Sequence, residues 1–210
     1  MKETVVLLHG ILNPSLIMAP LARRLKKEGY ATFLWAYPGR QKKIEAHANA
    51  LERFLKTIPG TGPIHFVGYS LGSIIARYLL ANRRLPRAGR FVMIGPPNHG
   101  CEKAESLYRK HAWFRLIYGT QSIQQLFPHS SFYKTCGVPR VPFGIIAGGT
   151  GTRYGFIPWM GEDNDGTVTV SSARLKGAKD FIVLRHAHLP IVWADDTAEH
   201  TVRFLKTGAF

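Results

Sequence analysis

Six short apolar runs alternate with amphipathic helical segments along this chain of 210 residues. The runs are too short for most helices and are rich in β-branched side chains, so they predict buried strands. Strands that alternate with helices are typical of a parallel sheet with helices on both faces. We predict an α/β fold, a three-layer sandwich around a mostly parallel six-stranded sheet. The predicted strands are Thr4–Leu8, Ala31–Ala36, Ile64–Val67, Arg90–Ile94, Phe143–Ala147 and Asp180–Leu184.

Length and composition fit a single domain over residues 1–210. Hydrophobic residues make up 45% of the chain, which is ordinary for a globular protein with a substantial core. No apolar run approaches the ~18 residues of a membrane-spanning helix. The first predicted strand begins at Thr4, which leaves no room before it for a secretory signal peptide. We therefore expect a cytoplasmic protein.

The chain is strongly basic, with 28 Lys and Arg residues against 13 Asp and Glu residues and a net charge of +15. Such a charge attracts anionic partners such as lipid headgroups or acidic substrates, although solvated helix faces would produce the same count. No nucleic-acid-binding motif accompanies it, so we expect no nucleic-acid partner. We predict a weak, peripheral attraction to anionic membrane surfaces. The oligomeric state stays open.

One pentapeptide, Gly68-Tyr69-Ser70-Leu71-Gly72, lies between the third predicted strand and an apolar helical run. Glycine on either side of the serine leaves room for a very tight turn. A serine at a sharp strand-to-helix turn has its hydroxyl exposed above the sheet, beside the positive end of the helix dipole. Although the pattern also occurs by chance in loops, this context predicts that Ser70 is a nucleophile.

A serine nucleophile needs a general base, and the base needs an acid that orients it. In this kind of sheet, functional residues follow the carboxyl ends of strands. His186 and His188 follow the last predicted strand, and we favour His188 because it lies further into the loop. His47, His111 and His200 fall in predicted helices, where we expect them to face solvent.

The acid is expected between the last two predicted strands. Asp165 comes directly before a glycine turn and the β-branched run 167–170, so we predict that it orients His188, with Asp163 as the alternative. Glu162 lies close enough in sequence for these carboxylates to bind Ca²⁺ together, but the loop lacks EF-hand spacing. We predict no metal site and no cofactor.

An oxyanion formed at Ser70 needs two backbone donors. The N–H group of Leu71, directly after the nucleophile, is one predicted donor. The other is that of Ile11, which follows His9-Gly10 in the loop after the first strand. His9 then organises this loop.

Residues 101–142 form a longer connection than a simple crossover requires, and they are rich in aromatic side chains. They form either an ordinary covering helix with a loop or a small lid that walls an acyl-binding site. Cys101 and Cys136 fit no zinc pattern; we expect structural thiols, and a disulfide bridge between them stays open.

Together these segments resemble the α/β-hydrolase superfamily, and within it the small bacterial lipase and esterase-like proteins. The resemblance includes His9-Gly10, the pentapeptide 68–72, the segment 95–100, the acid loop 164–168, and His188 ahead of the last helix. It departs where Tyr69 replaces the commoner histidine, where Cys101 replaces a serine common in lipases, and where two N-terminal strands are missing.

The resemblance implies hydrolysis of carboxylic esters or lipids through an acyl-enzyme, without a cofactor. Ser70, Asp165 and His188 would form the catalytic triad, and Ile11 and Leu71 the oxyanion hole. Acyl transfer and thioester hydrolysis by the same triad are alternatives, since this fold hosts many chemistries. A non-catalytic protein that binds a membrane or a partner is another.

Overall fold

In the computed structural model, which describes residues 2–210, the predicted parallel sheet forms the centre of the molecule. All neighbouring strands are parallel, in the order β2-β1-β3-β4-β5-β6. The strands are β1 Thr4–Leu8, β2 Ala31–Trp35, β3 Ile64–Tyr69, β4 Ala88–Ile94, β5 Phe143–Gly148 and β6 Asp180–Leu184. The predicted α/β fold with six parallel strands is therefore confirmed.

Nine α-helices lie among residues 2–210, joined in places by short 3₁₀ turns. They are α1 Ala19–Lys27, α2 Ile44–Leu55, α3 Leu71–Asn82, α4 Glu102–Lys110, α5 Ala112–Tyr118, α6 Gln121–Gln125, α7 Phe132–Cys136, α8 Val170–Ala173 and α9 Asp195–Thr207. Within the described range, no helix combines the length and the apolarity that crossing a bilayer requires.

The two faces of the sheet bury separate apolar clusters, because successive side chains of a strand point to opposite faces. Val6, Leu8 and Phe66 pack with α2 and α3 on one face. Val5 and Leu7 pack with α1 and α9 on the other face. Burial on both faces explains why the central strands are almost continuously apolar.

The segment 101–142 contains the four short helices α4 to α7. Cys101 and Cys136 are both free and both buried, so no disulfide bridge joins them. Burial raises the pKa of each thiol to about 11, which keeps both side chains protonated near neutral pH.

The prediction that His47 faces solvent is wrong. His47 lies three residues after Ile44 and four before Leu51, on the buried face of α2, and its ring packs edge-on against Tyr37. Its Nε2 atom is buried and has no hydrogen-bond partner within residues 2–210. Burial, the largest cause, lowers the pKa of His47 to about 4. Of the other two histidines, His111 is exposed as expected but lies between α4 and α5, whereas His200 in α9 is half-buried and its Nδ1 atom is buried.

The low pKa of His47 links the stability of the fold to pH. Below about pH 6.5 the unfolded chain takes up a proton at this histidine that the folded chain does not take up, so stability falls as the pH decreases from about 6.5 toward 4. We expect this group to lower the free energy of unfolding by about 2 kcal/mol between pH 7.5 and pH 5. Denaturant titrations at a series of pH values measure it.

The matched variants are His47→Gln on the buried face of α2 and His111→Gln on the surface. The dependence of stability on pH should flatten in His47→Gln and persist in His111→Gln. An equal slope in the native protein and His47→Gln would contradict the assignment of this effect to His47.

Candidate active site

The strand-to-helix turn at Ser70 is sharply bent. β3 ends at Tyr69, α3 begins at Leu71, and Ser70 between them has φ +52° and ψ −120°. Within residues 2–210 it is the one residue other than glycine with a positive φ. Such a conformation costs about 1–3 kcal/mol for a residue with a side chain and persists only when the surroundings enforce it. The Ser70 amide helps to do so, because it donates to the Ile94 carbonyl at 2.9 Å.

The two glycines around Ser70 allow α3 to approach the sheet closely. A Cβ atom on Gly68 would lie 2.5 Å from the Cα atom of Ser73. A Cβ atom on Gly72 would lie 2.5 Å from the carbonyl oxygen of Leu8, at the end of β1. Backbone atoms cannot yield to such contacts, so both positions require glycine. The start of α3 therefore lies directly against the end of β1, where the predicted oxyanion loop begins.

Ser70, His188 and Asp165 form a continuous hydrogen-bonded chain. The Oγ atom of Ser70 lies 3.0 Å from Nε2 of His188, and Nδ1 of His188 lies 2.6 Å from Oδ2 of Asp165. Because an ionised carboxylate only accepts, Nδ1 carries the proton and Nε2 presents its lone pair to the serine hydroxyl. This is the protonation state that a general base requires.

Asp165 is buried and fully bonded. Its Oδ1 atom accepts from the amides of Thr167 at 2.9 Å and Val168 at 2.7 Å, which leaves Oδ2 for His188. The backbone carbonyl of Asp165 also accepts from the amide of His188 at 2.8 Å. Two contacts, one through the side chain and one through the backbone, thus hold the histidine loop against the acid loop.

The alternative residues bond elsewhere. The Nε2 atom of His186 lies 2.9 Å from the carboxylate of Asp196 in α9. Asp163 accepts from the amides of Thr150 at 2.8 Å and Gly151 at 3.0 Å, so it shapes the loop after β5. Neither residue joins the chain of contacts at Ser70.

Tyr69 adds a contact that the sequence did not predict. Its hydroxyl donates to the backbone carbonyl of His188 at 2.9 Å, and the two rings lie 5.3 Å apart. Burial raises the pKa of the Tyr69 phenol, which keeps this donor protonated. The residue next to Ser70 therefore fixes the backbone of the histidine that contacts Ser70. The sequence signal for this contact was the tyrosine that replaces the commoner histidine before Ser70.

Asn164 is a second residue whose role the sequence left unassigned. It is buried, and its Oδ1 atom accepts from the amides of Ile157 at 3.0 Å and Gly166 at 2.9 Å. Its Nδ2 atom donates to the carbonyls of Ile157 and Glu162. Asn164 thereby holds the acid loop in shape directly before Asp165. An asparagine followed by aspartate and glycine was the sequence signal of such a turn.

His9 organises the loop after β1. Its Nε2 atom accepts from the Tyr37 amide at 3.3 Å, so Nδ1 carries the proton and donates to the Gly10 carbonyl at 2.7 Å. Burial lowers the pKa of His9, which favours this neutral form. Ile11, two residues on, lines the same cavity as Ser70, while Leu71 is buried in the first turn of α3. Amides in a first helical turn have no partner within the helix.

A largely apolar cavity of about 530 Å³ opens at Ser70 and His188. Much of its wall comes from the segment 101–142, which contributes Ala104, Leu107, Phe114, Tyr118, Ile123 and Leu126. Cys101 lies in the same wall, where its thiol donates to the Thr167 carbonyl at 3.0 Å. Because its pKa is raised to about 11, Cys101 is not a competing thiolate nucleophile.

The acidic residues of the acid loop do not converge on one point. Asp165 faces His188, Asp163 faces the loop after β5, and Glu162 accepts from the Ser171 hydroxyl. Over residues 2–210, no three His, Cys, Asp or Glu side chains are arranged to hold a metal ion.

Solved structures share this architecture. The mature lipase BlEst2 from Bacillus licheniformis matches with a TM-score of 0.73 and 21% identity, over all of this chain and 93% of the lipase. Phospholipase PlaB from Legionella pneumophila matches with a TM-score of 0.78 and 14% identity over all of this chain. The chain has the α/β-hydrolase fold.

Other comparisons define the extent of this likeness. The metagenomic carboxyl esterase MGS0156 matches with a TM-score of 0.67 and 17% identity, over 90% of this chain and 65% of the esterase. This chain spans 60% of the length of PlaB. No protein-family model and no curated protein matches the sequence. The likeness therefore lies in the fold, here a compact six-stranded version of the α/β-hydrolase sheet.

The strain at Ser70 predicts an effect on stability. Ser70→Gly removes the side chain that disfavours φ +52°, whereas Ser70→Ala retains a Cβ atom and the strain. We expect Ser70→Gly to be more stable than Ser70→Ala by about 1 kcal/mol, since the relief of strain exceeds the entropic cost of glycine. Urea unfolding of both variants measures the difference. Greater stability of Ser70→Ala would show that the turn is not strained.

Proposed function

We propose that this protein is a serine hydrolase that cleaves carboxylic esters through an acyl-enzyme intermediate. The observation that carries the proposal is the unbroken contact chain from Ser70 through His188 to Asp165, at the edge of an apolar cavity. The proposal that the substrates are esters is supported by three proteins of the same fold, which are named as a lipase, a phospholipase and a carboxyl esterase.

In the proposed acylation step, the Oγ atom of Ser70 attacks the ester carbonyl carbon while Nε2 of His188 takes the hydroxyl proton. Asp165 stabilises the imidazolium that forms and keeps its Nδ1–H bond in place. When the tetrahedral intermediate collapses, the bond to the leaving alkoxide breaks and His188 donates its proton to that oxygen. The products are an alcohol and an ester of Ser70.

The amides of Leu71 and Ile11 are the proposed oxyanion donors. Leu71 supports this role because its N–H group is in the first turn of α3, where the helix dipole also favours negative charge. Ile11 supports it because its loop is fixed by His9 and lines the cavity beside Ser70. Removing one such donor typically costs about 3 kcal/mol of transition-state stabilisation.

Deacylation repeats the chemistry with water. His188 removes a proton from a water molecule that attacks the acyl carbon, then returns this proton to Ser70 Oγ as the acid leaves. Besides the ester and water, the proposed cycle uses only groups of this chain. An alcohol in place of water would give acyl transfer, and a thioester in place of the ester would enter by the same first step.

The central test is the Ser70→Ala variant. The native protein should hydrolyse p-nitrophenyl hexanoate and should be labelled by a fluorophosphonate, which reacts with activated serine hydroxyls. In Ser70→Ala we expect kcat to fall by at least about a thousandfold and labelling to be lost, since the nucleophile is gone. Labelling that persists in this variant would exclude Ser70 as the nucleophile.

Histidine variants test the base separately. His188→Ala should lose nearly all turnover, because Nε2 of His188 contacts the nucleophile. His186→Ala is the matched control, since it removes a histidine of the same loop that pairs with Asp196 instead. An inactive His186→Ala beside an active His188→Ala would reverse the assignment.

The cavity mouth supports a further part of the proposal, a weak attraction to anionic membranes. Leu12, Phe156 and Leu189 line the cavity and are also exposed, so they form an apolar rim. α5, which contributes Phe114 and Tyr118 to the cavity wall, also carries Leu116, which is 81% exposed. Basic side chains accompany these residues: Arg40 bonds the Ile117 carbonyl, and the Arg153 guanidinium lies over the Tyr154 ring. Anionic lipid complements both features.

Vesicle sedimentation tests this attraction. We expect binding to vesicles that contain phosphatidylglycerol, little binding to pure phosphatidylcholine, and release at high salt because exposed charges are screened. Leu116→Ser should weaken binding about fivefold, through the loss of buried apolar area. Val138→Ser, an exposed apolar residue near the amino end of β5, is the control. Equal binding to both vesicle types would contradict the proposal; binding without labelling or turnover would favour a non-catalytic protein.

A further inference from the structure

One positive charge lies in the wall of the apolar cavity. Of the described residues, 2–210, that line it, Lys103 is the one lysine or arginine. Lys103 belongs to the first turn of α4 and is half-buried. Its neighbours in the wall include the apolar side chains of Ala104 and Leu107. A lysine stem can lie along such an apolar surface while its ammonium reaches a polar partner.

The ammonium of Lys103 is only partly bonded. Its Nζ atom donates to the carbonyl oxygen of Gly166 at 2.5 Å. An ammonium has three N–H donors, so two remain available. Among the ion pairs within residues 2–210, none includes Lys103. Nearby Glu105 is bound by Arg109 at 2.6 Å, and Glu102 is exposed. The positive charge is therefore not neutralised by a carboxylate of this helix.

The position of Lys103 in its helix is locally unfavourable. The amino end of a helix carries a partial positive charge, which favours Asp and Glu and disfavours Lys. The other two charged residues of this turn follow the rule, since Glu102 and Glu105 are both acidic. Helix formation alone therefore does not explain a lysine here. An anion bound beside Lys103 would be favoured by both charges.

Lys103 also lies close to the reacting groups. Gly166, which it contacts, directly follows Asp165, and Asp165 contacts His188. Lys103 and Ser70 line the same cavity. A molecule with its ester carbonyl at Ser70 can therefore extend within this cavity to the ammonium of Lys103.

We propose that Lys103 is a specificity-determining residue that binds an anionic group of the substrate. The preferred substrate class is then an ester that carries a carboxylate or phosphate in addition to its ester bond. This inference rests on the proposed ester hydrolysis at Ser70. The net charge of +15 supports it, since a basic protein raises the local concentration of anionic substrates.

The test compares matched esters that differ in one anionic group. The carboxylate pair is p-nitrophenyl hexanoate and mono-p-nitrophenyl adipate. The phosphate pair is monooctanoylglycerol and octanoyl lysophosphatidic acid. For each pair the measured quantity is the kcat/KM of the anionic ester divided by that of the neutral ester. The pair with the larger native ratio distinguishes a carboxylate-bearing ester from a phosphate-bearing lipid.

We expect the native protein to favour at least one anionic ester. In Lys103→Met, which keeps the length and loses the charge, that ratio should fall about tenfold, because a hydrogen bond to a charged group is lost. Lys103→Arg should retain most of the preference. Lys110→Met is the matched control: it removes the same charge from the exposed end of the same helix and should leave the ratio as in the native protein.

Three outcomes would overturn the inference. The first is that the native protein has no preference for either anionic ester. The second is that Lys103→Met and Lys110→Met lower the ratio equally, which would indicate only the electrostatic field of the whole basic protein. The third is that Lys103→Met lowers kcat/KM equally for both members of a pair. The last result would make Lys103 a support for Gly166 and the acid loop.

Failure of the proposed function has a different signature. If the native protein cleaves none of the four esters, ester hydrolysis is excluded, and binding still tests Lys103. Hexanamide and adipic acid monoamide are then titrated by NMR. Tighter binding of the monoamide in the native protein, lost in Lys103→Met and kept in Lys110→Met, supports the anion site. Equal binding of both amides overturns it.

Discussion

The close contact between the start of α3 and the ends of β1 and β3 is the constraint on which the site depends. It exists because Gly68 and Gly72 have no Cβ atoms to meet the backbone of Ser73 and Leu8. This packing holds Ser70 at φ +52°, a conformation that the residue would not adopt alone. It also brings the first turn of α3 beside the loop that contains Ile11.

Around this turn, three loops from distant parts of the chain are fixed to one another. Asp165 binds His188 through both its side chain and its backbone, and the Tyr69 hydroxyl donates to the backbone carbonyl of His188. The imidazole is therefore positioned by the acid loop and by β3, whose last residue is Tyr69. Such preorganisation is what proton transfer at a serine hydroxyl requires, since misplacement by 1 Å costs about a hundredfold in rate.

The sequence predicted what depends on local patterns. β-branched runs located β1 and β6, and the position of residues after strands brought Ser70, Asp165 and His188 to attention. It did not predict the bond from Tyr69 to His188, which joins residues 119 positions apart. The burial of His47 was also missed, because its polarity suggested solvent while its helical spacing matched the apolar face of α2. The bond from Tyr69 depends on a tertiary contact that no local pattern encodes, whereas the spacing of His47 was a local signal of its burial.

The cavity wall and the residues at its base come from different parts of the chain, and this separation affects how the shape of the cavity can change. Ser70, Asp165 and His188 lie outside the segment 101–142, which supplies much of the cavity wall as one continuous stretch. A change of sequence within the stretch therefore alters the wall without replacing any of these three residues. Two side chains near its start, Cys101 and Lys103, bond the carbonyls of Thr167 and Gly166 beside Asp165. A different segment at this place in the chain would have to form the same two hydrogen bonds to leave the acid loop undisturbed.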